Sequence, residues 1–383
     1  MRIGYIYDFE AYPPRGGNHV HAMELTQGFL RFGHIVSVVD DPTMPGVTSY
    51  TSNSEDLERF VKNIDVLYVR IDARLTRHWK VLTECTRLAE DSHPIIWEIN
   101  SPANETLAYS WLSGKSIDGK ERIIRYFRRW MHATRKIPGI FFEEKHRRRM
   151  AESVTTAICV SKSLGRYASE GLRIKDALVL PNGAPLISEG EITKRRAHRN
   201  WKDFTVLYSG SAMYPWQGLD YLAQVIELAR HSAPDIRFVL AVNQRTPDLP
   251  SSDNVIILEH LNRDKILDAI CAADACVSLH PQYPWSKYNF HNSPMKLFEY
   301  MACMTPSVSS NHGQMQEIIH DGIDGLLCEN GPHQILEKLN FLKNNPEKAS
   351  KIGRKGWELI QSKYNWQNNV KLTLNCFEIG LDS

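Results

Sequence analysis

The chain has 383 residues, 42% of them hydrophobic and 23% charged. Both fractions lie near globular averages, which excludes a disordered or collagen-like chain. The length suits two domains of about 150–200 residues. A formal net charge of +2 gives no overall pull toward nucleic acid, and no run of about 18 apolar residues is present to span a membrane.

The opening segment MRIGYIYDFEAYPP lacks the apolar stretch of a secretory signal, so a cytoplasmic chain is expected. The seven cysteines form no CxxC and no zinc-spaced cluster with histidine. They sit in apolar runs such as TTAICVS and DACVSL, which reads as small core residues in a reducing compartment.

In chain order, RIGYIYDF reads as a strand and is followed by a loop with Pro13, Pro14, Gly16 and Gly17. HVHAMELTQGFLRFG carries Val20, Met23, Leu25, Phe29 and Leu30 at mostly helical spacing, with Gly33 closing the helix. HIVSVVD, DVLYVRI, PIIWEIN, TTAICVS and ALVLPNG read as further strands, most of them separated by helical segments. Residues 187–203 are polar without apolar periodicity and read as a linker. The pattern then restarts with FTVLYSG, IRFVLAV, NVIILE, ACVSLHP and PSVSS as strands. GLDYLAQVIELARH, RDKILDAICAA, SPMKLFEYMAC and QMQEIIHDG are the helices between and after them, and the tail is helical from about Pro346. Such alternation predicts two doubly wound parallel sheets, with ligands at the carboxyl ends of the strands.

The loops after strands therefore carry the chemistry. Gly16-Gly17 precede a helix, where glycine lets a ligand or a facing domain come close; an ordinary tight turn is the plain alternative. GxGxxG is absent there, which removes a nicotinamide reading, and Asp40 reads as a surface or capping residue. Glu98 and Asn100 end the WEIN strand, placed either for sugar hydroxyls or for satisfying the next loop. Residues 120–149 hold eleven Lys and Arg against three Glu, with Phe127, Trp130, Ile140, Phe141 and Phe142 interleaved. That segment reads either as a solvated helix with a buried side or as a surface for an anionic membrane or acceptor.

The most informative segment is NFHNSPMKLFEYMACMTPSVSS. Ser293 is a good helix N-cap and Pro294 fits the first helical position. The unpaired amides of that turn suit a diphosphate, Lys296 adds a cation, and Glu299, one turn on, suits the two vicinal hydroxyls of a ribose. Glu317, Gly322 and Gly325 read as helix and turn. No DxD pair, GxSxG, HExxH or Walker A sequence is present, so no metal site is expected and the common hydrolase, zincin and P-loop readings fall away.

Taken together, these segments resemble the GT-B glycosyltransferases of family GT4, the retaining, metal-independent, nucleotide-sugar-dependent group. The likeness runs over nearly the whole chain, through PPRGGNHVHAMELTQGFLRFGHIVSVVD, EINSP, VLPNGAPL, VLYSGSAMYPWQGLDYL, SPMKLFEYMACMTPSVSS, EIIHDGIDGLL and KYNW. It implies two Rossmann-like domains facing across a cleft. An acceptor domain would span 1–187, a linker 188–203, a donor domain 204–364, and a helix over 365–383 would return to the first domain.

The resemblance implies that Glu299, the second glutamate of the family's E-x7-E motif, holds the nucleotide ribose. Amides around Ser293, Pro294, Met295, Lys296 and Leu297 would hold the diphosphate, with Glu317 near the nucleotide. Gly16, Gly17, Gly210, Ser211 and Gln217 would border the donor, and Arg15, Asn18, His19 and Asn100 the acceptor. Glu98, Asn100, His291 and Glu299 are the candidates for catalysis. Three departures stand out. The first glutamate of E-x7-E falls at His291, the family's Arg and Lys clamp falls at Ser211 and Gln217, and PIIWEIN ends without the family's histidine. Arg15, Lys287, Lys296 and Arg263 are candidate replacements for the clamp. The implied reaction moves a sugar from a nucleotide-diphosphate sugar to a glycan, lipid-linked or small-molecule acceptor, as in cell-surface polysaccharide or glycoconjugate synthesis. No cofactor is expected. A degenerate module that binds a sugar nucleotide or a partner glycosyltransferase, and a sugar-nucleotide epimerase, are the alternatives on the same fold.

Overall fold

The computed structural model describes residues 1–73, 78–108, 120–197, 199, 201–247 and 249–382. The first half builds a seven-stranded sheet from β1 (Arg2–Ile6), β2 (Ile35–Val39), β3 (Thr48–Tyr50), β4 (Val66–Ile71), β5 (Ile95–Ile99), β6 (Thr156–Cys159) and β7 (Ala177–Val179). Its order is β3-β2-β1-β4-β5-β6-β7, and every pairing is parallel. Helices α1 (Gly17–Arg31), α2 (Ser54–Lys62), α3 (Trp79–Ala89), α4 (Lys120–Met150) and α5 (Lys162–Arg166) connect the strands. β4 and β5 are buried along their whole length, as parallel strands covered on both faces must be.

The second half builds a six-stranded sheet from β8 (Phe204–Gly210), β9 (Ile236–Val242), β10 (Val255–Glu259), β11 (Ala275–Ser278), β12 (Ser307–Ser310) and β13 (Leu326–Cys328). The order is β10-β9-β8-β11-β12-β13, again all parallel. Its helices are α6 (Glu189–Arg196), α7 (Leu219–Ser232), α8 (Arg263–Ala272), α9 (Met295–Ala302), α10 (Gly313–Ile318), α11 (Pro332–Asn344) and α12 (Pro346–Ser362). The last helix, α13 (Trp366–Asp382), returns to the first sheet and packs on α1, β5 and β6. Gly28 of α1 makes that packing close: a Cβ there would fall 2.2 Å from a Val370 methyl.

Two details correct the sequence reading. The stretch read as a polar linker without apolar periodicity contains α6, whose N-cap Ser188 accepts a hydrogen bond from the Glu191 amide. Only Ile192 is buried on it, and arginines dock the rest. Arg196 donates to the carbonyls of Cys271, Cys303 and Met304, and Arg195 pairs with Asp268 at 2.7 Å. One buried apolar residue in eight leaves no period to read. The short strands β3 and β13 were also absent from the sequence reading. β3 has only three residues, none of them fully buried.

Side-chain alternation along β5 positions the first half of the site. Ile95, Trp97 and Ile99 enter the core on one face, whereas Ile96 joins Tyr5, Phe29, Tyr68 and Phe377 on the α1–α13 face. Glu98, two residues after Ile96, must point to that second face.

Candidate active site

Glu98 is 1% exposed, takes hydrogen bonds from four side chains and is faced by a fifth, His21. Tyr5 Oη lies 2.9 Å, Tyr68 Oη 2.8 Å, Arg70 Nη1 2.7 Å, His21 Nε2 2.9 Å and Asn100 Nδ2 2.5 Å from its oxygens. Burial pushes this carboxyl up, but the charges of His21 and Arg70 and the hydrogen bonds of His21 and Asn100 outweigh it and hold it well below the usual carboxylate range. Glu98 is therefore enclosed beneath the strand end, and Asn100 spends its amide on it. The expectation of a strand-end carboxylate in contact with substrate is corrected: both oxygens are saturated beneath the surface.

A histidine does stand beside the end of β5, but it comes from α1 and is buried in the scaffold. His21 is buried, with Nδ1 2.6 Å from Asn182 Oδ1 and Nε2 on Glu98. Asn182 in turn donates Nδ2 to the Ser293 carbonyl at 2.8 Å, and its backbone amide donates to Ser293 Oγ at 2.9 Å. A polar chain thus runs from the first sheet to the start of α9. Sequence reasoning missed His21, Arg70 and Asn182. The only signal for His21 was a polar residue on the apolar side of α1.

Ser293 is consequently not the N-cap of α9. Its hydroxyl accepts from Asn182, and the cap is Pro294, which has no side-chain hydrogen bond to offer. Of its first-turn amides, that of Leu297 donates to the Pro294 carbonyl at 3.1 Å, and those of Met295 and Lys296 are left for a ligand. Met295 faces Gly17, the first residue of α1: a Cβ on Gly17 would sit 3.3 Å from Met295 Sδ. Gly16, the N-cap of α1, has an extended backbone. The expectation of Leu297 as a diphosphate-binding residue is corrected: its side chain is wholly buried and its amide is taken by the Pro294 carbonyl.

Lys296 is 8% exposed. Its Nζ donates to Gln217 Oε1 at 2.6 Å and lies 4.1 Å from the ring centroid of Tyr208. No carboxylate lies within 4.0 Å of it among the described residues. A Cβ on Gly210 would fall 2.9 Å from the same ammonium. Burial lowers its pKa to about 7, against the raising effect of Glu299. Glu299 is half-buried with its carboxyl pushed up by burial and by Glu24, and held down by Arg263 and Lys296. Ser211 turns inward to its own loop, its carbonyl accepting from Tyr208 Oη at 3.2 Å and its Oγ from the Met213 amide.

His291 is fully buried between the two sheets. Its Nδ1 lies 3.2 Å from the Asn289 carbonyl, and its Nε2 lies 3.7 Å from Glu105 Oε1, which also accepts from Asn292. Glu105 stands on the 3-10 turn Ala103–Leu107 after β5. A carboxylate therefore sits opposite this histidine but comes from the other half of the chain. The expectation of His291 as an open catalytic group is corrected by this burial. Glu317 is corrected as well. It faces the backbone amide of Lys162 at the start of α5, with Arg166 nearby, and burial raises its carboxyl. It thus joins the halves rather than the donor side of the cleft. Ser161 Oγ on the His291 carbonyl at 2.6 Å and Arg263 Nη2 on Glu24 Oε1 at 3.3 Å join them too.

On the first sheet, the ends of β1 and β2 open into a cavity of about 390 Å³. Arg15 and His19 line it with Tyr7, Phe9, Asp40 and His78. His19 stacks on Phe9 at 4.9 Å, and its Nδ1 accepts from the Arg15 amide at 3.1 Å. Asn18 is exposed and lies outside this lining. The candidate residues thus fall into a donor-side group on α9 and an acceptor-side group beyond α1.

Comparison with solved structures decides the architecture. Sucrose-phosphate synthase from Thermosynechococcus elongatus superposes with a TM-score of 0.69 at 15% identity, covering 98% of each chain. The fold is that of the GT-B glycosyltransferases. Anabaena HepE in complex with UDP superposes with a TM-score of 0.68 at 15% identity, over 99% of this chain and 100% of that one. Residues 203–345 of this GT-B chain match the family described as Glycosyl transferases group 1. An uncharacterised glycosyltransferase of Methanocaldococcus jannaschii is 28% identical over 56% of this chain and 56% of its own length. Alpha-maltose-1-phosphate synthase of Mycolicibacterium smegmatis is 25% identical over 41% of this chain and 44% of its own. The chain spans about half the length of these two curated relatives.

Proposed function

We propose that this chain is a retaining glycosyltransferase that moves a sugar from a nucleotide-diphosphate sugar to a glycan, lipid-linked or small-molecule acceptor in cell-surface polysaccharide or glycoconjugate synthesis. The observation that carries the reading is the start of α9. The open amides of Met295 and Lys296, the Lys296 ammonium and the Glu299 carboxylate lie within one turn of helix, and Gly17 at the start of the facing α1 packs against Met295. The UDP and UDP-glucose complexes of HepE support a nucleotide sugar as donor.

The anomeric carbon–phosphate oxygen bond breaks and the bond to the acceptor oxygen forms on the same face. The acceptor hydroxyl gives its proton to the departing phosphate oxygen. Amides and a cation aimed at the developing diphosphate charge supply the stabilisation, the term that commonly dominates such steps. They do what a divalent ion would do for the leaving group, so the reaction is proposed to need no metal and no cofactor. Glu98 and His21 hold the scaffold rather than act as base, which fits a substrate-assisted proton transfer. The acceptor is assigned to the cavity at Arg15 and His19, and Asn18 to its outer approach.

The same reading places the chain in the cytoplasm against an anionic membrane surface. α4 exposes Trp130, Met131, Ile137, Phe141 and Phe142, interspersed with exposed Arg135, Lys145, Arg148 and Arg149. Apolar side chains flanked by cations suit an interface with anionic headgroups. No described helix is long and apolar enough to cross a membrane.

The test is a thermal-shift screen against UDP, GDP, ADP, TDP and CDP with wild type and Glu299→Ala, followed by transfer assays with the stabilising nucleotide's sugars. A ligand at 100 times its dissociation constant adds about 2.7 kcal/mol of apparent stability. Stabilisation by one nucleotide that Glu299→Ala abolishes, followed by an EDTA-insensitive product with retained anomeric configuration, is expected. Nucleotide binding without transfer to any acceptor would instead favour the degenerate module.

A further inference from the structure

The family resemblance places two cations at Ser211 and Gln217, where this chain has none. Four basic residues are the candidates to replace them, and the structure separates the four. Lys287 is occupied by Glu170 at 2.6 Å. Arg263 is paired with Glu24 of α1 at 3.3 Å. Arg15 is exposed and lines the cavity on the first sheet. Lys296 alone of the four is both buried beside the α9 amides and without a carboxylate within ion-pair distance. Its ammonium is held by the side chain at one of the two vacated positions, Gln217, and lies over Gly210, which precedes the other.

We propose that Lys296 has taken over the diphosphate-binding charge of the donor site, as a buried ammonium whose counter-ion is the diphosphate itself. The proposal rests on the donor-site reading above and specifies which residue carries it. Gln217 and the Tyr208 ring orient the ammonium without neutralising it, because an amide oxygen and a ring face carry no net charge. A buried cation with no ion partner is costly unless a ligand supplies one.

Diphosphate binding is then linked to protonation. The groups facing Lys296 are Glu299 on its own helix, Tyr208 on β8, Gln217 after β8 and His280 at the end of β11. Burial holds His280 well below its ordinary pKa, and Nδ1 donates to the Trp216 carbonyl, so His280 stays neutral and adds no charge. Above neutral pH the empty site loses the Lys296 proton, and an incoming diphosphate must restore it. Between pH 7.5 and 9.5 the phosphates keep their charge, so affinity should fall close to tenfold per pH unit.

The experiment is calorimetric titration of the full chain with the stabilising nucleoside diphosphate and its parent nucleoside, at pH 7.5, 8.5 and 9.5, in two buffers of different ionisation enthalpy. Proton uptake approaching one per diphosphate in wild type is expected, and none for the nucleoside. Lys296→Met should weaken the diphosphate about 10- to 100-fold at pH 7.5, remove the pH slope and leave nucleoside binding within about twofold. Lys296→Arg, charged at every pH used, should bind without proton uptake. Diphosphate binding by wild type with no proton uptake, or by a folded Lys296→Met with unchanged affinity, overturns the Lys296 assignment and leaves the donor-site reading standing. Absence of binding by every nucleoside diphosphate and by pyrophosphate overturns both.

Discussion

His21 Nε2 lies 2.9 Å from Glu98 Oε1, and this pair connects the first sheet to the donor-side helix. Asn182 gives its Nδ2 to the Ser293 carbonyl, which turns its Oδ1 toward His21 Nδ1. A side-chain oxygen therefore faces each ring nitrogen, which fixes the imidazole between the first sheet and the α9 loop.

Replacing Glu98 with Gln should take one of the two carboxylates from the buried Arg70 and remove the carboxylate that His21 faces. Arg70 retains Asp72 at 2.8 Å, but His21 keeps no carboxylate. A loss of about 3–5 kcal/mol in urea unfolding is expected. The acid limb of wild type should reflect the same pair. A carboxyl held low in the folded chain contributes stability above the unfolded glutamate value of about 4.3 and loses it as pH falls toward the folded value. Stability should therefore drop below about pH 4, and Glu98→Gln should flatten that drop.

Arg147 is completely buried and donates to the carbonyls of Ser101 and Asp72 and to Glu143. Its loss frees two loop carbonyls and the Glu143 carboxylate. Arg147→Met should cost about 3 kcal/mol or more. Hydrogen exchange should accelerate first over 101–107, the turn that carries Glu105.

Gly218 has φ 71, and a Cβ there would fall 2.1 Å from the Leu279 carbonyl oxygen. Gly218→Ala therefore meets both backbone strain and overlap with main chain that cannot swing away. A penalty of at least about 2 kcal/mol in thermal or urea unfolding is expected. Gly190→Ala, where the added methyl meets nothing within 4 Å, should be close to neutral.

Phe141 and Phe142 are 65% and 69% exposed on α4. Replacing both with Ser removes no buried contact, so stability should change by less than about 0.5 kcal/mol. Co-sedimentation with anionic vesicles at low salt should fall sharply, and binding of nucleoside diphosphate should be unchanged. Equal sedimentation of wild type and the double variant would remove the membrane assignment.

The strand–helix alternation and both parallel sheets were legible in the sequence, because buried parallel strands such as VLYVRI and IRFVLAV are continuous apolar runs. The α9 segment was legible too, since the spacing of Lys296 and Glu299 is local to one helix. What the sequence could not decide was which polar groups face one another across long separations. Glu98 looked available because strand ends usually face solvent, yet Tyr5, His21, Tyr68 and Arg70 converge on it from β1, α1 and β4. Ser293 looked like a cap until Asn182, 111 residues away, took its hydroxyl. His291 read as a lost glutamate, while its carboxylate partner Glu105 stood in the other half of the chain. Local pattern determines where strands, helices and turns form, because backbone geometry repeats over a few residues. The partner of a buried charge depends on how the two sheets meet, and only the tertiary structure decides that.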